Sequence, residues 1–139
     1  MNNLQNTNFY NYFLADSFIE EIKVNGSNVE IDVYWDVKKI LIKIICQEVV
    51  GITDIFMWDD VIIGDNVYLE EVDFLSNDFL IRAHDAHPYT QDCCNPLRDH
   101  LLDLSIELIS GISFHVYCYS VMVEETDIPW PFPYSDARM

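Results

Sequence analysis

Apolar and polar residues alternate one for one over several stretches of this chain, and a period of two is the pattern of extended strands with one buried face. Val29, Ile31, Val33 and Trp35 alternate with Glu30, Asp32 and Tyr34, so one buried and one wet face are expected. Residues 18–24 precede them across Asn25-Gly26-Ser27-Asn28, and Asn-Gly tolerates the positive φ that a tight hairpin turn needs. A third strand over 39–46 sets Ile40, Ile42, Ile44 and Cys46 on one side. Lys39, Leu41, Lys43 and Ile45 share its other side, which is therefore partly covered.

Further on, a short strand is expected at 61–63 and another over 67–75. The phase of the latter slips at Glu70-Glu71: Val67 and Leu69 are odd, Val72 and Phe74 even, and one extra residue in a β-bulge would account for this. Phe79, Ile81 and Ala83 suggest another strand after the turn Ser76-Asn77-Asp78. Asn95-Pro96 is a fair helix start, with Leu97, Leu101 and Leu104 on one helical face. From Leu102 onward a strand fits better, because Leu102, Leu104, Ile106 and Leu108 alternate with Asp103, Ser105 and Glu107. Ser110-Gly111 then offers a hairpin turn into one long strand over 112–124. Residues 9–15, rich in aromatics and Asn, suit a short helix or an arm laid on the core. The three prolines of 128–133 lack N–H donors, so that this stretch cannot be a central strand and runs extended.

The expected architecture is mainly β within an α+β frame: a single antiparallel sheet or partly closed barrel of about six to eight strands, with one or two short helices. A chain of 139 residues is one domain, here 1–139 with a Pro and aromatic tail at 126–139. At this size roughly 70 % of the extended-chain surface can be buried, so neither metal nor disulfide is required. Cys46 and Cys118 fall in apolar strand patterns, where a free Cys acts as a small hydrophobe, and reduced thiols are expected. The opening residues lack a basic flank and apolar stretch, the run around Ile40 to Cys46 is too short to cross a bilayer, and a cytoplasmic location is expected.

Charge narrows the function. The chain has 24 Asp and Glu against 7 Lys and Arg, a formal net charge of −17, and nine acids with no base between Lys43 and Arg82. Half its residues are apolar and 14 % aromatic, so this charge decorates a folded body and not a solvating tail. Nucleic acids and anionic membranes are polyanions, which excludes them as direct partners and leaves a basic protein as the partner a negative field would steer. The candidate contact residues are Asp54, Trp58, Asp59, Asp60, Asp65, Tyr68, Glu70, Glu71, Asp73 and Asp78, in which Trp58 and Tyr68 are the aromatic anchors among charges that set rate and specificity. The bland reading of the same acids is solubility alone, and that of Trp58 a buried core residue. A second base-free zone runs from Asp99 to Asp136.

Other chemistry is weaker. His84, Asp85, His87, Asp92, Cys93, Cys94 and His100 include metal-ligating types, but lack Cys-x-x-Cys or His-x-x-x-His spacing, so no metal and no cofactor are expected. Asp59-Asp60 and Glu70-Glu71 are adjacent in sequence and would face opposite ways on a strand, which argues against a shared proton. With no nucleophile and base pattern or glycine-rich phosphate loop, the chain does not read as an enzyme.

Asp16-Ser17-Phe18-Ile19 leading into a strand and the hairpin at Leu108-Ile109-Ser110-Gly111-Ile112, on a small acidic β-rich chain, resemble the immunity proteins of bacterial polymorphic toxin systems, including contact-dependent growth inhibition. The resemblance implies an inhibitor that caps the active groove of a cognate basic toxin, a nuclease in the typical case; it carries over no functional residue. Three alternatives stay open, one of them a structural or oligomeric subunit that self-associates through the apolar second faces of its strands. A DNA-mimic inhibitor of a nucleic-acid enzyme would space carboxylates like phosphates along one face, and a small metal-dependent enzyme would retain zinc through His84 or Cys93.

Overall fold

The alternating stretches fold as strands, and eight of them pair into two four-stranded antiparallel sheets in the computed structural model, which describes residues 7–53, 62–72, 101–111 and 113–131. The first sheet, A, is ordered β1 (Phe18–Asn25), β2 (Asn28–Trp35), β3 (Ile40–Gln47) and β8 (Ser120–Pro129). The second, B, is ordered β4 (Gly51–Thr53), β7 (Ser113–Cys118), β6 (Leu101–Leu108) and β5 (Ile63–Val72). The mainly-β class stands. The strands divide between two facing sheets and do not form one, and no barrel closes among the described residues.

The core lies between the sheets. Ile31, Ile42 and Ile44 from A and Leu104, Ile106 and Val116 from B are fully shielded from solvent and belong to one apolar cluster. Each such side chain contributes on the order of 1.5–3 kcal/mol by burial, which holds the layers face to face. Two seams join their margins. At one, Asp16 N–H donates to Ile63 O and Ile63 N–H to Ser17 O, both within 2.9 Å, and Phe18 bridges Ile62. At the other, Val50 N–H donates to Tyr117 O at 2.8 Å and Tyr119 N–H to Gln47 O at 3.1 Å.

The β1–β2 hairpin closes by pairing Asn25 with Asn28. Gly26 takes φ 64 while Ser27 does not, which places glycine where a type II′ turn needs it. Residues 9–15 are both a short helix and an arm: a 3₁₀ turn, Phe9–Asn11, with Phe9 and Leu14 buried in the core and Phe13 O accepting from Trp35 Nε1 at 2.8 Å. β8 runs to Pro129 on the margin of sheet A, where a missing N–H interrupts no ladder beyond it.

Three local expectations are corrected. Over their described residues the stretches expected at 61–63 and 67–75 belong to one strand, β5, whose irregularity falls between Ile63 and Val67 and not at Glu70-Glu71. Its phase slip at 70–71 has another cause: Val67 and Leu69 face the inter-sheet core, while Val72 packs outward on Leu101 and Tyr117. The long strand over 112–124 is two, β7 and β8, in different sheets. At Tyr119 the chain crosses from B to A, so the buried residues change from Phe114, Val116 and Cys118 to Val121 and Val123. Two facing layers require that change of parity. The expected strand at 79–83 and helix near Asn95 lie outside the described residues.

Candidate functional site

Both sheets carry more acids than bases, and they differ in whether a lysine offsets them. On sheet A the ladder sets Lys23 opposite Glu30, Asp32 opposite Lys43 and Lys43 opposite Glu124, and the one like-charged pair, Glu21 opposite Asp32, has Lys23 Nζ within 3.5 Å of both carboxylates. Lys23 Nζ lies 3.0 Å from Asp32 Oδ2, Lys43 Nζ 2.9 Å from Glu30 Oε2, Lys38 contacts Glu125, and Lys39 contacts Asp36. Every lysine among the described residues thus meets a carboxylate.

Asp32, expected on the wet face, is buried, because Lys23 and Lys43 extend over it from the neighbouring strands. Desolvation raises its pKa first, and the adjoining Glu30 raises it further. Glu30 is held down to about 2 by its hydrogen bond with Asp32 and then by Lys43. Burial thus disfavours the charged form of Asp32, the more buried member, while its neighbours favour the charged form of Glu30. Asp32 Oδ1 has no hydrogen-bond partner, with Lys43 Nζ at 3.6 Å offering charge from beyond hydrogen-bond range. This cluster sets two lysines among the three carboxylates of Glu21, Glu30 and Asp32 and ties β1, β2 and β3 together across the outer face of sheet A.

Sheet B contrasts with it. Its strands hold Asp65, Glu70, Glu71, Asp103 and Glu107 and neither Lys nor Arg. Pairing lines up Tyr68, Ser105, His115 and Thr53 in one outward row, and Glu70, Asp103, Tyr117 and Gly51 in the next. Glu70 and Asp103 are therefore like charges directly across a ladder, an arrangement that costs stability. His115 moderates the repulsion: its Nδ1 lies 2.9 and 3.1 Å from the Asp103 oxygens, which places the ring proton on Nδ1, and its ring stacks on Tyr117 at 6.0 Å. Thr53 Oγ1 accepts from the His115 backbone N–H at 3.2 Å, fixing the strand that carries the ring.

Of the expected contact residues, Tyr68, Glu70 and Glu71 stand on β5, the margin of sheet B, and all three are exposed, Tyr68 by 48 %. Tyr68 and Glu70 share the outer face; Glu71 follows at an inward register position where the strand nears its end. Asp65 lies within the irregular part of β5. Asp54, Trp58, Asp59, Asp60, Asp73 and Asp78 lie outside the described residues, as do His84, Asp85, His87, Asp92, Cys93, Cys94 and His100. Among the described residues no group of three or more His, Cys, Asp or Glu is arranged to hold a metal ion, and no helix is long and apolar enough to cross a membrane.

Asp103 and His115 were not among the contact residues expected from the sequence, although a hairpin turning at Ser110-Gly111 sets Ser105 across from His115 and so brings Asp103 to its diagonal. The opposition of Glu70 and Asp103 had no comparable signal, since the residues come from strands far apart in the chain. Comparison with protein-family models, with curated proteins and with solved structures returns no match.

Proposed function

We propose that this chain is a protein-binding inhibitor of the immunity type, which neutralises a basic toxin domain, a nuclease in the typical case, by covering its active groove with the acidic outer face of sheet B. The observation that supports this reading most is the contrast between the faces. Sheet A brings Lys23 and Lys43 onto its opposed carboxylates, whereas sheet B holds Glu70 opposite Asp103 with no Lys or Arg in its strands. Solubility alone does not call for like charges set directly across a ladder with no Lys or Arg in the sheet to offset them, because scattered acids would serve at lower cost. An incoming Lys or Arg would relieve the repulsion, so the unfavourable term in the free protein becomes affinity in the complex. Tyr68, exposed in the next row, is the aromatic anchor beside the charges.

The test is association with a cationic nuclease domain, beginning with one encoded beside this chain. Glu70→Lys with Glu71→Lys should slow association markedly at 50 mM salt and much less at 500 mM, because screening lengths fall from ~14 Å to ~4 Å. Tyr68→Ala should speed dissociation and leave the association rate nearly unchanged. Identical rates for wild type and charge-reversal protein at both salt concentrations would refute the reading.

A further inference from the structure

Cys46 and Cys118 come from opposite layers, Cys46 from β3 of sheet A and Cys118 from the last position of β7 in sheet B. Neither has any solvent exposure, and both belong to the core cluster between the sheets. Their backbones are held together by the seam, where Tyr119 N–H donates to Gln47 O at 3.1 Å, one residue beyond each cysteine. The register adds a second tie, since Cys46 lies opposite Val121 on β8, three residues beyond Cys118. The two side chains act on each other within that core, and both thiols are free.

We propose that this pair is a modification site: oxidation by a small-molecule disulfide such as glutathione disulfide joins Cys46 to Cys118 and ties one sheet covalently to the other. One cysteine thiolate attacks a sulfur of the oxidant, forming a mixed disulfide and releasing one glutathione thiolate. The second cysteine attacks the protein sulfur of that mixed disulfide and releases the other. Two protein thiols lose two electrons and two protons, and the oxidant becomes two thiols, so the exchange balances.

The route to the buried sulfurs is the seam. A cavity of about 150 Å³ lined by Ser27, Glu48, Val49, Val50 and Tyr119 lies over it, and Glu48 there holds a left-handed φ of 53, a conformation strained for a residue with a Cβ. Opening of 47–50 would break the bonds from Val49 to Ser27 and from Val50 to Tyr117 and admit the oxidant. Contact with Cys118, together with burial, pushes the Cys46 thiol up, which makes thiolate scarce and the reaction slow in the closed fold. The bond, once formed, spans a long stretch of chain and restricts the unfolded state.

The test uses the full chain incubated with glutathione disulfide at pH 8, with and without a low concentration of urea that promotes local opening. Free thiols are then alkylated, and the intact mass and protease fragments are read without reductant. The expected result is loss of two hydrogens, a linked fragment containing residues 46 and 118 that dithiothreitol separates, faster formation with urea, and a midpoint of thermal unfolding higher by roughly 10 °C. The Cys93→Ser, Cys94→Ser double variant should form the same link, and Cys118→Ala should not. Alkylation of both Cys46 and Cys118 after complete exchange, or a link confined to Cys93 and Cys94, would overturn the proposal. Wild-type fragment mapping gives the answer whether or not the alanine variant folds.

Discussion

At the scale of single residues, burial and charge act together most strongly at Glu30 and Asp32. Their shifts have opposite signs. Glu30, at about 2 against an ordinary 4.5, contributes stability that is complete above pH ~4.5 and is lost as pH falls toward 2. Asp32, raised by burial and by Glu30, opposes folding when ionised, and that penalty fades as pH falls through its raised value toward 3.8. Glu30→Gln removes the first contribution and loosens the second. Its thermal midpoint should therefore fall below that of the wild type at pH 7, and the gap should close between pH ~4.5 and ~2 in a series followed by circular dichroism. A constant gap over that range would show that Glu30 acts through packing alone. The sequence placed Asp32 on a wet face because alternation assigns sides and cannot register the length of two lysines from adjoining strands.

Among the elements, the N-terminal arm has a role that no local pattern announced. Asn8 Nδ2 donates to Val123 O and Asn8 Oδ1 accepts from Val123 N–H, both at 2.8 Å, so that one side chain imitates a neighbouring strand along the margin of β8. Thr7 Oγ1 donates to Val121 O on the same margin, and the Tyr10 hydroxyl donates to Leu69 O on β5. Open strand margins invite pairing with other chains, and this arm occupies backbone groups on two of them. Asn8→Ala should cost about 1–3 kcal/mol in urea unfolding and increase self-association by light scattering, whereas substitution of exposed Asn11 should do neither. Most strands were legible, β4 excepted, and so was the loss of phase at 70–71, whereas the change at 118–121 was read through as one continuous strand. In each case the buried parity changes because the chain begins to pack on a different layer or a different face. A single strand's sequence records that a change occurs and not which neighbour causes it.

For the whole molecule, a formal charge of −17 is a long-range term that acts on every element at once. Self-repulsion in the folded state exceeds that in the expanded chain, and salt relieves it, while the lysine contacts on sheet A are weakened by the same screening. Repulsion among so many acids outweighs four exposed or half-buried lysines, whose surface pairs are worth about 0–1 kcal/mol each. The urea midpoint should accordingly rise between 10 and 200 mM sodium chloride, as ~30 Å of screening length shortens to under ~10 Å. A fall over that interval would mean that the ion pairs of sheet A dominate. The same field that lowers stability favours a cationic partner on sheet B, so stability and proposed function respond to salt in opposite directions.

Alternation and turn chemistry are local properties, and they determined from the chain alone the strands of the first meander, the hairpins at Gly26 and Gly111, the mainly-β class and the excess of acid near β5. Which strands adjoin, and therefore whether a carboxylate faces a lysine or another carboxylate, depends on segments separated by tens of residues. Only the tertiary structure decided that the lysines of sheet A land on carboxylates, that sheet B sets Glu70 against Asp103 with no lysine to offset them, and that Cys46 meets Cys118 in the core. The physical reason is that a period of two specifies the side of a strand, while charge pairing and thiol contact are properties of the space between strands.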